Sequence, residues 1–169
     1  GSKCFSSIDF TSGFFNVQLD DESRPLTAFS CLNKQYIMNR LPMGCLVSPS
    51  AFQSIMMKIA GPMLNTSLIV YIDDVLVHTR DEKSHMKALA EVFRRFGEAG
   101  FLINADKVAF CTYSLDYLGF SISAKGWCPK RSNVEAIKEF PRPVNKTNVR
   151  SFCGLLAFYS NCLPNLQYL

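Results

Sequence analysis

The stretch that most constrains the fold is residues 68–78, where two runs of apolar, mostly β-branched residues flank the adjacent carboxylates of Asp73 and Asp74. Such runs predict strands, and the two aspartates fall where a tight hairpin between the strands would turn. Acidic side chains are rarely buried without a partner, and two together repel each other unless a cation lies between them. A plain hairpin turn and a divalent-cation site are therefore both open for this stretch.

A second strand-like run, residues 5–10, carries another acidic residue, Asp9. Asp9 precedes the aspartate pair by enough chain to lie on an adjacent strand of the same sheet. Two acid-bearing strands of similar character favour the cation site over the plain turn.

Several short motifs surround these acids in a fixed order. They are Ile-Asp-Phe-Thr-Ser-Gly-Phe at 8–14, Leu-Pro-Met-Gly at 41–44, Ser-Pro-Ser-Ala-Phe-Gln at 48–53, Tyr-Ile-Asp-Asp at 71–74 and Tyr-Leu-Gly-Phe at 117–120. With these motifs in this order, the chain resembles reverse transcriptases over nearly its whole length. Downstream, Val-Glu-Ala-Ile at 134–137, Phe-Pro-Arg-Pro at 140–143 and Arg-Ser-Phe-Cys-Gly-Leu at 150–155 resemble the Gypsy type of LTR retrotransposon polymerase.

The resemblance implies an α+β fold. A reverse-transcriptase palm, which is a small antiparallel sheet with helices packed on one face, would be followed by a helical thumb segment. We expect residues 1–124 to form the palm, with the fingers largely missing, and residues 125–169 to form a primer-grip and thumb segment.

The implied function is RNA-directed DNA polymerisation, in which two metal ions assist transfer of a nucleotide onto a primer 3′-hydroxyl. By resemblance, Asp9, Asp73 and Asp74 are the catalytic residues and bind metal together with the backbone carbonyl of Phe10. Mg²⁺ is the expected cofactor and Mn²⁺ an alternative, because both accept hard oxygen ligands.

The resemblance also implies a site for the incoming dNTP. Its residues would be Ser12, Gly13, Phe14 and Met43, with Phe14 as a steric gate against a ribose 2′-hydroxyl. Without the resemblance, Phe14 would be interpreted as an ordinary core aromatic. Met43 stands where retroviral relatives often carry Gln and Gypsy relatives Phe, so it lacks the hydrogen bonds that Gln would provide.

Contacts to an RNA or DNA template–primer duplex are expected from a further set of residues. These are Tyr71, Leu118, Gly119, Lys130, Arg131, Lys146 and Arg150. Residues 125–150 contain seven basic and two acidic side chains, which suits a phosphate backbone. A solvated helix surface would have a similar composition, so both interpretations stay open.

Bulk composition indicates one globular core with at most a small appended subdomain, because the chain has 169 residues and is 48% hydrophobic. The seven cysteines are an odd number without metal-site spacing, which predicts reduced, mostly buried thiols in an intracellular protein. The sequence shows no signal peptide and no apolar run of membrane-spanning length, so no membrane partner is expected. The predicted location is cytoplasmic, in a retroelement particle, or nuclear.

Whether the chain is an active enzyme is left open by its start, almost at Asp9. In the resembled family, a fingers region precedes this aspartate and clamps the triphosphate. The isolated chain is therefore expected to polymerise weakly or not at all. An alternative function is a host-adopted, retroelement-derived module that binds RNA or a host protein partner without polymerase activity.

Four helices are predicted from capping and periodicity. One begins with Ser48 as its N-cap and stops at Gly61. A second follows a capping box at 79–82 and is expected to bury Met86, Leu89, Phe93 and Phe96 while leaving His85 on the surface. A third begins at the capping box 132–135, and a fourth runs over 147–159 and is closed by Pro164. Residues 117–122 are predicted to form one strand, which the resembled family uses as a primer-gripping hairpin.

Overall fold

A computed structural model of the chain describes residues 1–162 and divides the chain into two compact units, residues 1–113 and the part from Ser114 onward. The strands are β1 (Cys4–Asp9), β2 (Phe29–Cys31), β3 (Lys34–Tyr36), β4 (Leu68–Tyr71), β5 (Asp74–Thr79), β6 (Ala109–Thr112), β7 (Ser114–Tyr117), β8 (Phe120–Ser123) and β9 (Gly126–Pro129). The α-helices are α1 (Ser48–Ala60), α2 (Glu82–Glu98), α3 (Arg131–Lys138) and α4 (Lys146–Phe158). Of the helices in this part of the chain, none combines the length and the apolarity that crossing a bilayer requires.

The first unit is built on a four-stranded antiparallel sheet in the order β4-β5-β1-β6. Side chains alternate across the sheet, so Ile8, Val75 and Val77 share one face and are almost completely buried. That face packs in one core cluster with Phe52 of α1 and Val92 of α2. The predicted small antiparallel sheet with two helices on one face is thereby confirmed, and the opposite face is left to carry Asp9 and Asp74.

The starts of three helices differ from the predicted ones. Thr79 ends β5, and Asp81 is the N-cap of α2, accepting a 2.8 Å bond from the Ser84 N–H. Ser48 lies inside the first turn of α1 rather than capping it, and α3 has no side-chain cap. Capping patterns fix a helix start only to within a few residues, because several Ser, Thr or Asp residues compete for the role.

The buried face of α2 is rotated from the predicted stripe. Met86 is 59% exposed and Phe93 is also exposed, whereas His85 is completely buried. His85 was expected at the surface because it lies off the predicted apolar stripe, but each of its ring nitrogens has a hydrogen-bond partner, which offsets the cost of burial. The prediction is therefore right for Leu89 and Phe96, which are 4% and 0% exposed, and wrong for Met86, Phe93 and His85.

The second unit contains a three-stranded antiparallel sheet, β7-β8-β9, followed by α3 and α4. The single strand predicted over 117–122 is wrong, since the chain turns at Leu118 and Gly119, which have φ values of 48° and 83°. Positive φ at both central residues is the conformation of a type I′ hairpin turn. Asn145 caps α4, and the predicted stop at Pro164 lies outside the described residues.

The cysteine prediction is half right. All seven thiols are free, but only Cys4 is buried. Four of the others, Cys31, Cys111, Cys128 and Cys153, lie at exposed positions of β2, β6, β9 and α4.

Candidate active site

Two of the predicted catalytic residues are direct neighbours across the central sheet. Asp9 ends β1 and Asp74 begins β5, and the two are Cα partners in the antiparallel register. Partner residues direct their side chains to the same face, so both carboxylates lie on the face away from the helices. Asp73 immediately precedes Asp74, in the turn between β4 and β5. All three acids are thereby gathered at one end of the sheet.

The turn itself lies one residue earlier than predicted. Its central residues are Ile72 and Asp73, because Tyr71 pairs with Asp74 in the β4–β5 ladder. Ile72 has φ of 53°, which is a strained left-handed conformation for a β-branched residue.

The side-chain amide of Gln53 holds this turn from α1. Its Oε1 accepts a 2.6 Å hydrogen bond from the Ile72 N–H, and its Nε2 donates a 3.2 Å bond to the Val70 carbonyl. One side chain therefore satisfies two backbone groups on either side of Tyr71. This contact connects the strained turn, and the aspartates next to it, to a helix of the core.

The electrostatics of the acids reflect their proximity. Partial burial raises the pKa of Asp74 above its ordinary value, and the charges of Asp73 and Asp9 raise it further. Lys107 acts in the opposite direction on this pKa, and its Nζ lies 3.7 Å from Asp9 Oδ2. The three aspartates thus form a negatively charged group, and the Lys107 ammonium lies beside it.

A divalent ion fits the chemistry of these donors. Carboxylate oxygens are the ligands that Mg²⁺ and Mn²⁺ prefer. Within residues 1–162, no group of three or more acidic, histidine or cysteine side chains is arranged to hold a metal ion. The backbone register of Asp9 and Asp74, with the adjoining turn, is therefore what brings the three acids together.

The carbonyl of Phe10 faces the same region. The main-chain carbonyl of Asp9 accepts a hydrogen bond from the Asn104 N–H at 2.9 Å, and the Thr11 N–H donates one to the Leu102 carbonyl at 2.8 Å. Since successive carbonyls of a strand point to opposite edges, that of Phe10 is directed toward the edge where β5 begins. This orientation agrees with the ligand role that the resemblance implies.

The loop after β1 lies against the aspartate turn. A Cβ atom added to Gly13 would be 3.2 Å from the Phe52 ring, which is a tight contact, and 3.6 Å from the Asp73 Cβ, which is an ordinary van der Waals contact. Ser12 has φ of 50°, and the Asn16 amide donates to the Thr11 carbonyl at 2.9 Å. The predicted nucleotide-binding residues Ser12 and Gly13 are therefore next to the carboxylates, in a loop fixed by a side chain.

The other predicted residues of the first unit differ in their exposure. Phe14 stacks on Phe52 with ring centroids 4.6 Å apart and is half-buried. It is thus both a core contact and an accessible surface, so the two interpretations of this residue are compatible. Met43 and Tyr71 are exposed, at 58% and 55%. The side chain of Tyr71 lies on the same face of the sheet as that of Asp74, because the two residues are paired in the β4–β5 ladder.

In the second unit, the predicted nucleic-acid contacts lie at the hairpin and on the helices. Leu118 and Gly119 form the β7–β8 turn. Lys130 pairs with Asp116 at 3.1 Å, and Arg131 pairs with Glu135 at 3.0 Å. The remaining two residues, Lys146 and Arg150, are exposed on α4. Part of the basic charge of this segment is consequently neutralised within the unit.

A buried polar network lies at the other end of the sheet. Thr79 Oγ1 donates to the Asp81 carbonyl, so it accepts from His85 Nδ1–H at 3.0 Å. His85 Nε2 then accepts from Ser6 Oγ at 2.7 Å, and Ser6 Oγ accepts from the Cys111 N–H. The network fixes the neutral Nδ1–H tautomer, and burial lowers the pKa of His85.

Sequence reasoning assigned no role to three residues that the structure places at the site, Gln53, Asn16 and Lys107. Gln53 belongs to a motif recognised in the sequence, and its polarity beside the buried stripe of α1 was the available signal. Asn16 and Lys107 reach the site only because of the paths of loops 11–16 and 102–107, which no local pattern indicates.

Comparison with known proteins identifies the family. The family model described as Reverse transcriptase (RNA-dependent DNA polymerase) matches residues 1–122, so the chain belongs to the reverse transcriptase family. This family generally uses divalent metal ions. The confirmed fold is accordingly that of a reverse-transcriptase palm.

The similar proteins are polyproteins of mobile elements and viruses. The chain is 32% identical over 165 residues to the Retrovirus-related Pol polyprotein from transposon 297 of Drosophila melanogaster, covering 96% of this chain and 16% of that protein. It is 34% identical over 167 residues to the Enzymatic polyprotein of Cauliflower mosaic virus (strain NY8153), covering 98% of this chain and 24% of that protein. The chain thus spans a quarter or less of the length of these relatives.

Two solved structures have the same fold. The foamy viral protease-reverse transcriptase dRH in complex with ds DNA matches with a TM-score of 0.89 and 31% identity, over 98% of this chain and 29% of that one. The foamy viral protease-reverse transcriptase in complex with RNA/DNA hybrid matches with a TM-score of 0.80 and 30% identity, over 93% of this chain and 21% of that one.

Proposed function

We propose that this chain supplies the nucleotidyl-transfer site of an RNA-directed DNA polymerase. The observation that carries the proposal is the cross-strand pairing of Asp9 with Asp74, with Asp73 in the adjoining turn. Three acids in this arrangement repel one another, and stability alone gives no reason to gather them. Family membership makes polymerisation the reaction that this arrangement serves best.

Asp9, Asp73, Asp74 and the Phe10 carbonyl are the proposed metal ligands, and Mg²⁺ or Mn²⁺ the proposed ion. When bound, two such ions neutralise the transferring phosphates and lower the pKa of the attacking hydroxyl. The residues of the chain contribute by holding their oxygens at fixed places on one sheet end. Gln53 contributes indirectly, since it fixes the turn that carries Asp73.

The incoming dNTP is proposed to bind on the loop beside Asp73. Backbone groups of Ser12 and Gly13 would contact the triphosphate, which the close approach of Gly13 to Asp73 supports. Phe14 is proposed to lie under the sugar of the nucleotide. Its stacking on Phe52 would prevent the Phe14 ring from moving aside to make room for a 2′-hydroxyl. Met43 would offer apolar surface to the base.

A template–primer duplex is the proposed macromolecular ligand. The solved neighbours hold double-stranded DNA and an RNA/DNA hybrid, which supports a duplex of either kind here. Tyr71 would contact the primer end near the carboxylates. The remaining proposed contacts are Leu118, Gly119, Lys130, Arg131, Lys146 and Arg150, through backbone and phosphate rather than base edges.

The proposed functional division is a palm at 1–124 and a primer-grip and thumb segment at 125–169. The compact units divide at Ser114, so the hairpin proposed to grip the primer belongs to the same unit as the proposed thumb helices. We further propose the Gypsy type of LTR retrotransposon as the subclass, on the motifs at 134–143 and 150–155. Action inside the cell, in a retroelement particle or the nucleus, belongs to the same proposal.

The alternative of a host-adopted module without polymerase activity is not favoured, because the family model and the relatives are polymerases or polymerase-containing polyproteins by name. The test is calorimetric titration of Mg²⁺ or Mn²⁺, with and without a primer–template duplex, into the parent chain and into Asp73→Asn/Asp74→Asn. The proposal predicts metal binding that needs the acids and strengthens with duplex. Absence of both metal and duplex binding would reject it in favour of a protein-binding role.

A further inference from the structure

Lys107 is the cation that the structure places at the carboxylates of the first unit. Its Nζ is 3.7 Å from Asp9 Oδ2, and its charge also opposes the raised pKa of Asp74. The side chain is 65% exposed and the ion pair is long, so the contact contributes little to stability. Its position beside the acids therefore calls for an explanation other than stability.

The fold fixes the position of Lys107 through the backbone. Residues 102–104 lie alongside the end of β1, with an isolated antiparallel bridge between Phe10 and Ile103. The Asn104 N–H bonds to the carbonyl of Asp9 itself, at 2.9 Å. The Lys107 N–H in turn bonds to the Asn104 carbonyl at 3.2 Å, closing a short 3₁₀ helix over Ala105–Lys107. The lysine is thus attached to the strand that carries the acid it faces.

We propose that Lys107 is a positioning residue that serves as a built-in counter-cation of Asp9 and competes with the divalent ion for it. The proposal rests on the proposed metal-binding role of Asp9, Asp73 and Asp74. In the metal-free chain, the ammonium compensates part of the repulsion among the acids. On metal binding, the exposed lysine side chain turns toward solvent while its backbone stays in place.

Competition of this kind predicts the sign of the effect. Removal of a positive charge beside a cation site strengthens cation binding. If Lys107 merely supported the fold, its removal would instead weaken cation binding. The energy of an exposed ion pair sets the size, so Lys107→Met is expected to tighten Mn²⁺ binding about two- to fivefold at low salt. The difference should shrink toward parity at about 0.5 M KCl, because salt screens exposed charges.

The experiment measures Mn²⁺ binding to the full chain by the electron paramagnetic resonance signal of free Mn²⁺, without substrate. The variants are Lys107→Met, Lys107→Arg, which keeps the charge, and Lys83→Met as a matched control. Lys83 is an exposed lysine on the same unit, near the end of β5 opposite to Asp74. Asp73→Asn defines which binding belongs to the acids, and circular dichroism verifies that each variant is folded.

Tighter Mn²⁺ binding by Lys107→Met alone, with Lys107→Arg and Lys83→Met at the parental value, is the expected result. Unchanged or weaker binding by Lys107→Met, or an equal gain by Lys83→Met, overturns the role of Lys107. If acid-dependent binding persists in that case, the proposed metal site stands. Absence of acid-dependent Mn²⁺ binding in every variant overturns both proposals.

Discussion

Replacement of Gln53 by leucine is the perturbation that most sharply tests how the aspartate turn is held. Leucine has a similar volume but neither accepts from the Ile72 N–H nor donates to the Val70 carbonyl, which the glutamine bonds at 2.6 Å and 3.2 Å. We expect the turn to loosen while α1 remains in place, because the neighbouring Phe52 and Met56 on the same helix are fully buried.

The expected loss of unfolding free energy follows from the number of hydrogen bonds that are lost and from the backbone strain at Ile72. Each lost hydrogen bond of a half-buried amide costs about 0.5–1.5 kcal/mol, so loss of both is expected to cost about 1–3 kcal/mol of unfolding free energy. The left-handed conformation of Ile72 costs about 1–2 kcal/mol by itself. The bonds of Gln53 are therefore of the size needed to keep this residue in its strained conformation.

Urea denaturation followed by circular dichroism, with Mn²⁺ titration of the same samples, measures both consequences. Gln53→Glu keeps the acceptor for the Ile72 N–H but places a carboxylate oxygen against the Val70 carbonyl, so it should also lose stability. Ser54→Ala, one residue along α1 at an exposed site, should change stability by less than about 0.5 kcal/mol. A Gln53→Leu variant with parental stability and parental Mn²⁺ affinity would show that Gln53 does not hold the turn.

Three further predictions concern other parts of the chain. The pKa values of His85 and His78 are both lowered, chiefly by burial, so below the ordinary value of 6.5 the unfolded chain binds protons that the folded chain does not. The urea midpoint should be constant above about pH 7 and should fall as pH drops below about 6.5. Asp74→Asn should raise the stability of the metal-free chain at neutral pH by about 0.5 kcal/mol, because it removes one of two facing like charges, and should abolish acid-dependent metal binding in the same titration. Gly119→Ala should lower stability by about 1–2 kcal/mol, since φ is 83° and the new Cβ would lie 3.3 Å from a tyrosine hydroxyl, and Trp127 fluorescence in the same unit reports the loss.

The sequence allowed prediction of the layers and of the acids at the sheet end. The apolar runs around Asp9 and Asp74 indicate strands, and the structure has Ile8 and Val75 on the buried face of their sheet. The position of the turn was predicted one residue late. Two adjacent acids suit a turn by propensity, but the actual turn places Ile72 in a conformation that a local rule would exclude.

What the sequence could not provide depends on contacts between distant segments. His85 was expected at the surface because it lies off the apolar stripe of its helix, but its partners Ser6 and Thr79, from two different strands, allow its burial. Lys107 has no motif of its own, and it reaches Asp9 because residues 102–104 pair with the end of β1. Such contacts are set by the tertiary path of the chain, which single-sequence periodicity does not encode.

We propose that a divalent ion binds between Asp9 and the 73–74 pair, and nuclear magnetic resonance can locate that ion. Substoichiometric Mn²⁺ added to the ¹⁵N-labelled chain broadens the amide signals nearest to it. If the ion binds at this site, we expect the amide signals of Asp9, Asp73, Asp74 and the neighbouring Ser12–Gly13 loop to broaden first. Broadening centred instead on Glu91 and Glu98 of α2, or spread evenly over the chain, would rule out this site.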